Sequence, residues 1–98
     1  MTRMRDLFLR QLLVSGIDTI FGNPGTTEMP LMDALVDHPE VRYILALHDS
    51  GAVGMAHGYA LSSGRPAAVN LHTVPGVHNA LGNLYNAYKS GAPILVTA

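Results

Sequence analysis

Apolar positions along the chain switch repeatedly between a helical and a strand-like period. Met4, Leu7, Phe8, Leu12 and Leu13 recur at helical spacing and predict a helix over residues 2–15, stopped by Gly16. Residues 18–21 read as a short strand halted by Gly22-Asn23-Pro24-Gly25. A second helix is expected next, capped by Thr26 or Thr27, with Pro30 in its first turn and its end before Pro39. Residues 41–47 read as a continuous apolar strand, the pattern of a strand buried on both faces. A third helix over 49–63 closes at Gly64, and residues 67–71 form the next strand. The loop 73–76 leads into a fourth helix that runs to Ser90 and stops at Gly91, and residues 93–98 are again strand.

Strands separated by helices of this length imply an α/β fold, an open parallel sheet with helices on both faces and right-handed crossovers. A parallel strand needs cover on both faces, and no helix follows the last one. The expectation is therefore a single, incomplete domain over residues 1–98.

Composition sharpens this. Charged residues make up 13% of the 98, about half of the roughly 25% usual in globular proteins. Much of the surface is thus expected to lie against other protein. The net charge of −1 and the few scattered basic residues do not form the electrostatic footprint of a nucleic-acid binder. No apolar run reaches the length of a membrane span, and the first residues lack the apolar core of a signal peptide. Without cysteine there is neither a disulfide framework nor a thiolate metal site. A cytoplasmic location is the expectation.

Ligands of open parallel sheets sit beyond the carboxyl ends of the strands, so the residues after each strand are the candidates for chemistry. They are Gly22 to Glu28, His48 to Gly51, and His72 to Gly76. The first loop could cradle an anion, but it has neither a P-loop ending nor the G-x-G-x-x-G spacing. From spacing alone the favoured reading is a plain strand–turn–helix connection with a cap. Asp49 reads as a helix N-cap or as a functional carboxylate. Behind it, Gly51, Gly54 and Gly58 share one helix face and Ala52, Ala56 and Ala60 form a second small stripe. Mid-helix glycine costs up to about 1 kcal/mol relative to alanine, which implies close approach by the sheet, by another subunit or by a flat cofactor. His72 is either a proton carrier or a satisfied core histidine. None of the five histidines has supporting carboxylate spacing, so no metal ligand is assigned. Asn79, Asn83 and Asn86 form a polar helical stripe, either a solvated face or a hydrogen-bonding interface.

Five blocks then occur in order: Phe21-Gly22-Asn23-Pro24-Gly25-Thr26-Thr27-Glu28, Leu45-Ala46-Leu47-His48-Asp49, Met55-Ala56-His57-Gly58-Tyr59-Ala60, Asn70-Leu71-His72-Thr73 and Pro75-Gly76-Val77-His78-Asn79-Ala80. Together they resemble the N-terminal, pyrimidine-binding domain of thiamine-diphosphate-dependent enzymes, in the group of benzoylformate decarboxylase and acetolactate synthase. The resemblance implies that a carboxylate at position 49 hydrogen-bonds N1′ of the cofactor's aminopyrimidine, which activates the thiazolium C2 to attack a 2-oxo acid. It implies a proton-moving and substrate-binding role for His72. Thr26 would lie near the substrate carboxylate with Asn23, while Pro24, Gly25 and Asn79 would contact the cofactor. Mg²⁺ would be held by a diphosphate domain absent from this chain, and the complete site would form between subunits of a homo-oligomer.

The sequence departs from the family in two places: His57 stands where relatives often carry an acidic residue, read as a packing or interface change, and Asp49 bears on the chemistry. Glutamate is usual where this chain has Asp49, and losing one methylene retracts the oxygens by roughly 1.5 Å. The implied function is thiamine-diphosphate binding within a 2-oxo acid decarboxylase or carboligase. The alternative is a non-catalytic α/β interaction module derived from that family.

Overall fold

The computed structural model describes residues 3–98. In order, the chain forms α1 (Met4–Val14), β1 (Thr19–Gly22), a 3₁₀ turn (Thr26–Glu28), α2 (Met29–Leu35), β2 (Arg42–Leu45), α3 (Asp49–Ser63), β3 (Ala67–Asn70), α4 (Thr73–Ser90) and β4 (Ile94–Thr97). The four strands are all parallel, in the order β2-β1-β3-β4. The expected helix start at Thr2 lies outside the described residues.

Alternation along the strands sends side chains to two cores. Ile20 and Ala68 point to a cluster with Leu9, Leu12 and Ala34 of α1 and α2. Phe21, Ala67 and Val69 point the other way, onto Ala52, Val53 and Ala56 of α3 and Ala80 of α4. This is the period of two expected of strands covered on both faces, and β1 and β3 are buried throughout. Two ion pairs, Arg5–Asp33 at 2.8 Å and Arg65–Asp18 at 3.0 Å, and a His38–Asp6 hydrogen bond at 2.9 Å brace the structure.

The run 41–47 differs from its sequence reading. It forms an edge strand, with Arg42 exposed and Leu45 and Leu47 at 62% and 94% exposure. Placing β1 between β2 and β3 leaves β2 with one neighbour, and hydropathy alone does not reveal strand order. The threonine caps also differ. Thr26 and Thr27 lie inside the 3₁₀ turn and Gly25 occupies the cap position.

The two small stripes of α3 divide their roles. Ala52, Ala56 and Ala60 are buried against the sheet. An added Cβ at Gly51 or Gly58 would meet nothing within 4 Å, and one at Gly54 would meet only Asn83 Nδ2 at 3.5 Å. Tight packing on the sheet therefore accounts for the alanines and not for the glycines. Gly58→Ala should stabilise the isolated chain by up to about 1 kcal/mol, read as a higher urea midpoint. A lower midpoint would mean that the helix face is occupied within the chain.

Among the described residues no helix is long and apolar enough to cross a membrane.

Candidate functional site

Gly22 pairs with Leu45 on one side and Asn70 on the other, so the first three strands end level. The connections that follow them are consequently neighbours, although the residues concerned lie far apart in sequence. Gly22 itself is required by close approach. A Cβ there would run into the Tyr43 hydroxyl and lie 2.7 Å from the Asn70 carbonyl oxygen.

In the first connection, the extended Gly25 donates its N–H to Glu28 Oε2 at 2.8 Å. Glu28 is 7% exposed, and the same oxygen lies 2.9 Å from His72 Nδ1. Burial by itself would raise the Glu28 carboxyl. The Gly25 N–H, the His72 ring and the Thr27 side chain more than offset it, holding Glu28 below the usual carboxylate value of 4.5. An ionised Glu28 can only accept, so the hydrogen-bond network assigns the proton to His72 Nδ1. The Thr27 hydroxyl lies 3.5 Å from that nitrogen. No side chain fits on Gly25, because its Cβ would occupy the space of the His72 ring.

The second connection settles what Asp49 does in the helix. His48 is the N-cap of α3, with its Nδ1 accepting the Ser50 N–H at 3.1 Å. Asp49 is the first helical residue and is not needed as a cap. It is buried, and its Oδ2 accepts the backbone N–H of His72 at 2.9 Å. Among the described residues no donor of the chain reaches Oδ1. Gly76, in the first turn of α4, lies flat against the carboxylate, and a Cβ there would collide with it.

In the third connection, Thr73 has φ +55°, the single positive value among described non-glycine residues. A β-branched residue in the left-handed region is strained. Its hydroxyl donates to the His72 carbonyl at 2.8 Å. Beneath the cluster, burial and then the charges of Glu28 and Asp49 push the Tyr43 hydroxyl up to about 12.

Asp49, His72 and Gly25 are thus brought together. Asn23 and Pro24 line the same loop half-buried, and Thr26 is exposed at its tip. Asn79 is exposed on α4, one turn beyond Gly76. Asn83 is not part of a solvated face: its Nδ2 donates to Ser50 O at 2.8 Å and Ser50 Oγ at 3.0 Å, tying α4 to α3. Sequence reasoning missed Glu28 as a site residue. The Gly25-to-Glu28 spacing is that of a capping box, and this was the one available signal.

A doubly covered parallel sheet carries a buried carboxylate after β2 and a histidine after β3, the two strands that flank β1, at the sheet edge where open α/β folds place their ligands. The family model described as "Thiamine pyrophosphate enzyme, N-terminal TPP binding domain" matches residues 2–98. The chain belongs to that family. It is 54% identical over 84 residues to benzoylformate decarboxylase of Pseudomonas aeruginosa, covering 85% of this chain and 15% of that protein. It is 40% identical over 90 residues to the acetolactate synthase large subunit of Lactococcus lactis, covering 92% of this chain and 16% of that one. Among solved structures it resembles the thiamine diphosphate-dependent 4-hydroxybenzoylformate decarboxylase of Rhodococcus jostii, with a TM-score of 0.89 and 37% identity over 97% of this chain and 18% of that one. The chain therefore spans less than a fifth of these relatives.

Proposed function

We propose that the chain supplies the pyrimidine-facing part of a thiamine diphosphate site in a 2-oxo acid decarboxylase or carboligase of the benzoylformate decarboxylase type. The observation that carries this reading is Asp49, a buried carboxylate with one oxygen fixed by the chain and the other without a donor among the described residues. A capping role does not explain it, since His48 fills that position. This weighs against a non-catalytic module.

The residues present fit the cofactor. Asp49 offers an acceptor to a ring N–H, and the absent side chains of Gly25 and Gly76 make room for the His72 ring and the Asp49 carboxylate to take up their places. Pro24, Gly25 and Asn79 would flank the cofactor, while Asn23 and Thr26 would meet the substrate carboxylate. When bound, thiamine diphosphate supplies the nucleophilic carbon and the electron sink for decarboxylation. The chain's own contribution is orientation and proton handling. Asp49 holds charge at a fixed place. His72, with Nδ1 committed to Glu28, keeps Nε2 for exchanging a proton with substrate. Mg²⁺ would be bound outside this chain. The open glycine face of α3 suits a second subunit, in a cytoplasmic homo-oligomer.

The test is release of CO₂ by the full-length protein from a panel of aromatic and aliphatic 2-oxo acids, with and without thiamine diphosphate and Mg²⁺. Cofactor-dependent release is expected, strongest with an aromatic acid. No release from any of them would overturn the reading.

A further inference from the structure

The His72 ring and the His72 backbone are gripped by two different carboxylates. Glu28 Oε2 holds Nδ1 at 2.9 Å, and Asp49 Oδ2 holds the backbone N–H at 2.9 Å. Glu28 is tied in turn to the Gly25 N–H at 2.8 Å. One hydrogen-bonded chain thus runs through all three strand ends, from Gly25 through Glu28 and His72 to Asp49.

We infer that Asp49 is also the positioning residue for His72: through its grip on the His72 N–H it fixes the turn that presents the imidazole to Glu28. This deepens the proposed function, since it rests on His72 being the proton carrier of that site. Four features support it. The residue immediately after His72 is Thr73 in the left-handed region, a conformation that persists only when its surroundings over-determine it. Glu28 and Thr27 reach only the His72 ring, whereas the Asp49 bond reaches the backbone of this turn from across the sheet. Asp49 is also free to make it, because His48 has taken over the capping of α3. Finally, Gly76 leaves room for the carboxylate at the one place from which Oδ2 meets the His72 N–H. Asp49 would therefore serve two partners with two oxygens, Oδ2 inward to the protein and Oδ1 outward to the cofactor.

The experiment reads His72 directly, with no cofactor added. The full chain is labelled with ¹⁵N, and the His72 ring and amide signals are assigned by their loss in His72→Gln. Asp49→Asn keeps an acceptor for the amide, and should leave the Nδ1–H tautomer and the slow exchange of the His72 amide as in the wild type. Asp49→Ala should speed amide exchange at least tenfold and raise the Nε2–H tautomer several-fold. Glu28→Gln should change the ring and spare the amide, separating the two grips. Should the alanine chain fail to fold, Asp49→Ser provides the truncation with a polar side chain too short to reach. Unchanged His72 signals in the truncated variant would overturn the inference, as would equal changes in the asparagine and truncated variants. A full-length protein inactive on 2-oxo acids would overturn the proposed function and leave these spectra untouched.

Discussion

Gly25→Ala is expected to leave the chain folded and to lower turnover of the full-length protein on the order of 10²-fold, the scale set by misplacing a catalytic group by about 1 Å. The backbone at Gly25 is extended, at φ −121° and ψ −164°, a conformation alanine adopts freely. The effect must therefore come from space. The new Cβ would overlap the His72 ring, whose side chain is 38% exposed and can swing outward. That movement gives up the His72–Glu28 bond while Glu28 keeps the Gly25 N–H. Thermal unfolding should shift little, and kcat should fall more than KM rises. Wild-type turnover in the alanine variant would show that the ring position seen here is not the working one.

Gly76→Ala should have the second large effect, by a different route. Alanine is the better helix former by up to about 1 kcal/mol, and in an open position it would stabilise α4. Here its Cβ would displace the Asp49 carboxylate. Losing the bond to the His72 N–H removes a hydrogen bond to a charged group, worth about 1.5–3 kcal/mol. A net destabilisation of about 1–2 kcal/mol is expected in urea unfolding. Turnover should fall by at least about 10²-fold, because Asp49 and His72 both lose their places. A variant as stable and active as the wild type would mean that the carboxylate has a second resting position.

Much of the fold was readable from hydropathy. Helices ending at Gly64 and Gly91 do so in the left-handed conformation that glycine takes without penalty, and the alternating elements dictated a parallel sheet. What escaped was whatever depends on strand order and on contacts between distant residues. The run 41–47 read as buried on both faces, whereas β2 lies at the sheet edge and is only partly covered, because composition records neither strand order nor cover. Asp49 and His72 were found as separate candidates, and nothing in their 23-residue separation announces a hydrogen bond between them. Glu28 was given no role of its own, since its partner is 44 residues away. The glycines of α3 were expected to mark a close approach, yet within the chain the space above Gly51 and Gly58 is open, which distinguishes them from the buried alanines beside them.

The pairing of Gly22 with both Leu45 and Asn70 has a consequence for quality control. The hydrogen-bonded chain through Gly25, Glu28, His72 and Asp49 closes only when β1, β2 and β3 finish at the same height. A slip of one residue would displace a strand end by about 3.3 Å and turn its side chains to the opposite face. A slipped molecule could remain compact and helical by circular dichroism, yet it would separate His72 from a carboxylate. The His72–Glu28 and His72–Asp49 bonds are thus a stricter reporter of correct strand registration than secondary-structure content, and a preparation can lose one while retaining the other.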